Sequence, residues 1–400
     1  MTDHIEKLGQ RANTEMVQSL ILWGAIAVPE VAQAFLHTPR HHFLEEVYCF
    51  DAKAKEWRKL ALDQPGEREL QTVYSDRALV VRVQAPTPGA MAQAVSSSSQ
   101  PSLMAEMIQD ALVQPGHNVL EIGTGTGYNA ALLGWLVRPG GSVHTLDIEA
   151  QVVGRAHEHL SRYADRPVHI YHRDGRFGLP EHAPYDRIVV TASAADLEPA
   201  WLEQLAPGGL LQAPVHFAPG LCFVVRGTVH DGVFTGHLTR PAYFIPLQGT
   251  PHDWEITRPA PWQRYRAQPP PWGKTFSGRG AQEWLRFVLS LGFFAWLKGH
   301  QVQYRELDGR TALELDYPGG QKCLLGHKRW LLECDPDTEG ACRTVYEDFL
   351  RMAAPRPTEY RCRVAPEPAS AVHQAFAIRK LPYFVWSWEL FSRRERAWGY

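Results

Sequence analysis

The sequence predicts an α/β fold, a doubly wound parallel sheet followed by a second, smaller α+β unit. Three observations carry that expectation. Short apolar strands alternate with helix-period stretches from residue 101 to about 214. A glycine-rich turn, Glu121-Ile-Gly-Thr-Gly-Thr-Gly127, joins one strand to the helix after it. Beyond residue 250 the pattern becomes helices and strands at hairpin spacing.

In chain order, residues 14–44 read as helical, with a restart at Pro29-Glu30, whereas 50–95 show only weak periodicity. Leu103, Met104, Met107, Ile108, Ala111 and Leu112 form a helical stripe opening at Pro101, whose missing N–H costs nothing in a first turn. Strand 118–122, the glycine turn and a helix over 128–137 follow. Next come strand 143–147, helix 149–163 and strands 167–172, 187–191 and 210–214. In the last third, a helix over 276–298 carries Trp284, Phe287, Leu291 and Phe294 on one face. Strands over 302–307, 312–317 and 324–334, a helix near 341–352 and a strand at 360–364 complete the α+β unit. The organisation expected is therefore an N-terminal helical and irregular part (1–95), a ligand-binding core (96–250), a Pro-rich linker (251–275) and the C-terminal unit (276–400).

Composition excludes several classes. Lys+Arg 41 against Asp+Glu 43 leaves −2, so no nucleic-acid-coating charge is present. The longest apolar runs, near 20–28 and 289–297, are about half of the ~20 residues a membrane helix needs. The first residues show no cationic, then apolar, secretory pattern, and the six cysteines contain no Cys-x-x-Cys pair, so a cytoplasmic protein with free thiols is expected. Cys323, Cys334, Cys342 and His327, like His157-x-His159 and His169-x-x-His172, match no metal-site spacing, and no metal is expected. Residues 1–250 carry net −7 and 251–400 net +5, with nine of 13 tryptophans in the latter. That contrast suits either a substrate-docking module or a stabilising cap.

The candidate ligand site lies at the strand ends. Gly123, Gly125 and Gly127 let the backbone turn sharply and approach a ligand. Asp147 ends the next strand, where a carboxylate can accept from two ribose hydroxyls, and Asp174-Gly175 ends the third. A dinucleotide fingerprint requires glycine where Tyr128 stands, so NAD or FAD is disfavoured. S-adenosylmethionine, which has no pyrophosphate to clamp, fits better.

With Pro39-Arg-His-His-Phe43, Tyr74-Ser-Asp-Arg-Ala-Leu79, Ser98-Ser-Gln-Pro101, Val119 to Tyr128, Pro184-Tyr-Asp-Arg-Ile188, Leu205-Ala-Pro-Gly-Gly-Leu210 and Phe244-Ile-Pro-Leu247, the chain resembles the protein-L-isoaspartate O-methyltransferases over roughly residues 15–250. The resemblance implies a Rossmann-like class I methyltransferase sheet and carboxyl methylation of isoaspartyl or aspartyl residues in proteins or peptides, with neither nucleic acid nor membrane as partner. It places the active-site serine at Ser99, with Ser98 as the alternative register. Cofactor contacts fall on Glu121, Gly123, Thr124, Gly125, Gly127, Asp147, Ile148, Asp174 and Gly175. Two departures stand out: Val80 to Val95 intervene before the serine, and the C-terminal unit is extra. Extended relatives of this kind resemble peptide-tailoring enzymes that esterify a specific Asp, leading to aspartimide.

Overall fold

The computed structural model describes residues 2–51, 53–62, 64–85, 92–248, 265–268, 281–307, 310–316, 322–326, 330–333, 336–352, 354–366, 377–382 and 384–391. The chain opens with α1 (Thr2–Leu22) and α2 (Pro29–Leu36), then β1 (Glu46–Asp51), β2 (Glu56–Ala61), α3 (Glu67–Val73), β3 (Leu79–Gln84) and β4 (Gln93–Ser98). The core follows as α4 (Pro101–Asp110), β5 (Asn118–Ile122), α5 (Tyr128–Leu136), β6 (Ser142–Asp147), α6 (Ala150–Leu160), β7 (Val168–His172) and β8 (Tyr185–Val190). It continues through α7 (Pro199–Glu203), β9 (Leu205–Ala218), β10 (Leu221–His230) and β11 (Val233–Pro241). The last third holds β12 (Tyr265–Gln268), α8 (Ala281–Leu297), β13 (Gln301–Leu307), β14 (Arg310–Asp316), β15 (Lys322–Leu325) and β16 (Trp330–Glu333). It ends with α9 (Pro336–Arg351), β17 (Tyr360–Ala365), β18 (Ala377–Lys380) and β19 (Val385–Leu390).

One ten-stranded sheet runs β18-β19-β17-β11-β10-β9-β8-β5-β6-β7. Its β9-β8-β5-β6-β7 half is parallel, as the alternating pattern predicts. The other half is antiparallel, and its hairpin β10–β11 turns at Asp231-Gly232, both with positive φ. That Asp-Gly pair between apolar runs is a local hairpin signal that the alternating pattern upstream obscured. The weakly periodic residues 50–95 contribute most of a four-stranded antiparallel sheet, β2-β1-β3-β4, that spans 46–98. The residues intervening before the serine run include parts of strands β3 and β4, whose pairing carries residues 96–98 to the edge of the core.

The C-terminal residues are α+β, but they do not stand apart. β13 to β16 with β12 make a five-stranded sheet, while β17, β19 and β18 lengthen the main one. The Pro-rich stretch, expected to break regular structure, supplies β12, and the strand expected over 324–334 divides into β15 and β16. Cys334 and His327 lie outside the described residues, as do Tyr383 and the basic tail at 393–396. Helix α8 is apolar on more than the single face predicted: Phe293 and Ala295 are as buried as Leu291 and Phe294, which places residues 288–297 inside the protein. Trp386 and Trp388 pack edge-on against Phe217 and Phe293 in one hydrophobic core that continues to β5 and β8. The described aromatics Trp284, Phe293, Trp296, Trp386 and Trp388 belong to that core.

Asp196 joins the two parts. Its fully buried carboxylate accepts from the Phe384 backbone N–H at 2.9 Å and from Trp386 Nε1 at 2.8 Å. Removing the acceptor strands both donors in a dry environment, at about 1–3 kcal/mol each. Asp196→Ala is therefore expected to lose about 3 kcal/mol or more in urea unfolding, with tryptophan fluorescence as the probe. A loss below about 0.5 kcal/mol, the range of neutral surface changes, would contradict this joint.

Candidate active site

At the carboxyl ends of β5, β6 and β7 the parallel strands open into a cleft of about 1120 Å³, counted to its open mouth. Its floor is the glycine loop. Gly123 has φ +100°, and a Cβ there would lie 2.7 Å from Thr191 Oγ1, so both backbone conformation and space require glycine. Thr191 Oγ1 donates to the Gly123 carbonyl at 2.7 Å and fastens the loop to the end of β8. Gly125 N–H donates to Asp147 Oδ2 and Glu149 N–H to Oδ1, each at 3.1 Å. Burial raises the Asp147 pKa above the ordinary carboxylate value, against the pull of those N–H groups. A carboxylate has about four lone-pair sites, so these backbone N–H groups leave acceptor capacity for a ligand hydroxyl.

Asp174 and Gly175 line the same cleft. Arg176 clamps Asp174 through its backbone N–H at 3.0 Å and its guanidinium at 2.6 Å; burial pushes the carboxyl up, but Arg176 outweighs it and the pKa is lowered. Trp201 Nε1 donates to the Gly175 carbonyl at 2.8 Å and holds the turn in place. A Cβ on Gly175 would meet Ile122 Cγ2 at 2.5 Å.

The predicted residues divide by role. Ser98, Ser99, Gly123, Thr124, Gly125, Asp147, Ile148, Asp174 and Gly175 all line the cleft. Glu121 and Gly127 do not. Gly127 is the N-cap of α5, with φ +82°. Glu121 lies beneath the loop, fully buried, and accepts from Asn129 Nδ2 at 2.7 Å and Thr145 Oγ1 at 2.5 Å. Thr145 in turn pairs with Thr124 at 2.8 Å, so Glu121 shapes the loop from below. Sequence reasoning missed Thr191 and Asn129 as site residues, and it noted 244–247 only as a family segment. Residues 244–248 also line the cleft, tied there by hydrogen bonds between Ser193 and residues 244, 245 and 247. Thr191 follows the strand-end logic that found Asp147 and could have been reached by it.

Three distant motifs meet at the serine. Arg40, fully buried, donates from Nε to Ser98 Oγ at 3.2 Å and from Nη2 to the Ser99 carbonyl at 2.8 Å. Its remaining hydrogen bonds go to the carbonyls of Val73, Ser75, Arg77 and Ser98. Asp76 accepts from the Ser102 N–H at 2.8 Å and from Gln100 Nε2 at 2.9 Å, tying the first turn of α4 to the same loop. Ser98 is buried and its hydroxyl is engaged by Arg40. Ser99 is half-buried, lines the cleft, and its hydroxyl has no hydrogen-bond partner among the described residues.

An open parallel sheet with this loop and acids at the ends of successive strands defines a Rossmann-like methyltransferase that uses S-adenosylmethionine. The family model described as Protein-L-isoaspartate(D-aspartate) O-methyltransferase (PCMT) matches residues 66–251. The chain is 34% identical over 233 residues to the protein-L-isoaspartate O-methyltransferase of Ignicoccus hospitalis, covering 58% of this chain and 95% of the relative. It is 35% identical over 211 residues to that of Methanopyrus kandleri, covering 52% of this chain and 79% of the relative. A solved structure titled protein-L-isoaspartate O-methyltransferase superposes with TM-score 0.52 at 22% identity, over 88% of this chain and 96% of that one. That coverage extends the shared fold well past residue 251. The chain belongs to the protein-L-isoaspartate O-methyltransferase family.

Two predictions follow from this geometry. Asp147→Ala should weaken S-adenosylhomocysteine binding in calorimetry by about 1.5–3 kcal/mol, the value of a charged hydrogen-bonding group. Unchanged affinity, or tight NADH binding, would contradict the assignment. The second concerns Glu121, whose pKa burial pushes up to about 7 despite its bonds from Thr145 and Asn129. Between the ordinary value of 4.5 and about 7 the folded state holds more protons than the unfolded one, so this group removes stability as pH rises through that window. Glu121→Gln should flatten the fall in urea-unfolding free energy between pH 5 and 8; an unchanged slope would refute it.

Proposed function

We propose that the chain methylates the free carboxylate of L-isoaspartyl residues in proteins or peptides, with Ser99 orienting the acceptor. The observation that carries the reading is a single cleft holding both the glycine loop with Asp147 and the unengaged hydroxyl of Ser99. When bound, S-adenosylmethionine supplies an electrophilic sulfonium methyl. Gly123, Gly125, Asp147 and Asp174 suit its nucleoside end, because the backbone approach is unobstructed and Asp147 keeps acceptor capacity free.

The acceptor carboxylate, with an unperturbed pKa of ~4, is ionised at neutral pH and needs no general base. Ser99 accordingly serves as a hydrogen-bond donor that points the carboxylate, not as a nucleophile. Alignment can contribute up to ~7–11 kcal/mol to lowering the barrier. Residues 244–248 line the same cleft, and once substrate covers it, loss of water would strengthen the contacts that hold the carboxylate. Among the described residues no helix is long and apolar enough to cross a membrane.

Ser99→Ala should lower kcat while leaving S-adenosylhomocysteine affinity within about twofold, whereas Ser98→Ala should act on stability through Arg40. The reverse assignment of these signatures would move the site by one residue. Substrate class is tested with tritiated cofactor and two peptides identical except for isoaspartyl or aspartyl at one position. The isoaspartyl form should be preferred by about 100-fold or more in kcat/KM. Preferential labelling of the aspartyl form would instead indicate dedicated Asp esterification.

A further inference from the structure

Away from the cleft, α1 meets the turn that follows α2. There Glu6, His41 and His42 bring one carboxylate oxygen and two imidazole nitrogens within 4.8 Å of one another. We propose that these three side chains form a binding site for one divalent transition-metal ion of the zinc class, pinning α1 to the turn that carries Arg40.

The spacing is the first support. Glu6 Oε2 lies 3.4 Å from His41 Nε2 and 3.0 Å from His42 Nε2. Zinc bonds of about 2.0–2.1 Å in a tetrahedron set ligand atoms about 3.3 Å apart. These separations are hydrogen-bond lengths too, so the remainder of each ring carries the distinction. The Nδ1 atom of His41 is held by the Tyr74 hydroxyl at 2.6 Å, and that of His42 by the Tyr163 hydroxyl at 2.7 Å. Metal-bound histidines are oriented in this way, the far ring nitrogen being fixed by an outer partner.

Helix α1 is also shaped to the site. Gly9, one turn after Glu6, faces the His41 ring, and a Cβ there would lie 2.3–2.7 Å from three ring atoms. Any larger residue would push the imidazole away from Glu6. The Glu6 side chain is 52% exposed, whereas those of His41 and His42 are 9% and 18% exposed, so an ion can enter from solvent and keep water on its open face. Two nitrogens and one oxygen favour zinc, cobalt or nickel over magnesium or calcium. Among the described residues no other trio of His, Cys, Asp or Glu converges in this way. His144, His169 and His182 stack their rings without forming such a trio, which makes that cluster a natural control.

Calorimetric titration of the metal-free full-length chain with zinc chloride tests the proposal. One zinc per chain should bind, magnesium should not, and Glu6→Gln and His42→Gln should each weaken zinc binding at least about tenfold, with His169→Ala unchanged. Cobalt added to the unmutated protein should give visible absorption from a nitrogen-ligated, low-coordinate ion, a readout independent of how the variants fold. Failure of the unmutated protein to take up zinc, zinc affinity unchanged in both variants, or a cobalt spectrum matching the hydrated ion would each overturn it.

Discussion

The serine side of the cleft depends on one buried cation. Arg40 is completely enclosed, and among the described residues no carboxylate comes within ion-pair distance of it. Taking a guanidinium out of water is costly. Here the cost is offset by backbone carbonyls from two loops and by one serine hydroxyl, and bonds to a charged donor contribute about 1.5–3 kcal/mol each. Burial lowers the Arg40 pKa only to about 10, so the group stays charged at neutral pH. Because the guanidinium presents a planar fork, it fixes the angle between the 73–77 loop and the 98–99 turn as well as their distance. Ser99 can then leave its hydroxyl unspent and facing the cleft.

The cofactor side is organised differently. There the backbone does most of the positioning: the glycine loop is held from below by the Glu121, Thr145 and Thr124 chain and from the side by Thr191 and Asp147. Those contacts all come from the parallel half of the sheet. The antiparallel half supports them indirectly, since β10 backs β9 and the C-terminal strands cover β11. Asp196 closes the arrangement by accepting from the segment that leads into β19. The C-terminal third is thus part of one continuous core, and the change of charge and tryptophan content near residue 250 marks a change of architecture more than a change of body.

What was legible in the sequence was local. The Gly123–Gly127 loop, Asp147 and Asp174-Gly175 occupy fixed positions at strand ends, and short-range spacing finds them. The choice between Ser98 and Ser99 was not local, because it depends on which hydroxyl Arg40 takes from 58 residues away. Glu121 looked like a cofactor contact because β5 is buried on both faces and offers no alternation to show which way a residue points. Strands β1 to β4 escaped notice for the opposite reason: half-exposed and short, they are specified by pairing with one another. The joining of β17 to β11 spans more than a hundred residues, and nothing in either segment alone announces it.

If Arg40 is the constraint on which the serine side rests, replacing its fork while keeping its charge should separate catalysis from cofactor binding. The decisive measurement is kcat on an isoaspartyl peptide, beside S-adenosylhomocysteine affinity, in an Arg40→Lys variant shown to be folded by circular dichroism. Lysine offers three donors on a point charge and cannot span both loops. A fall in kcat of about 30-fold or more, equivalent to about 2 kcal/mol, is expected, with cofactor affinity within about twofold. A folded variant with unchanged kcat would contradict it.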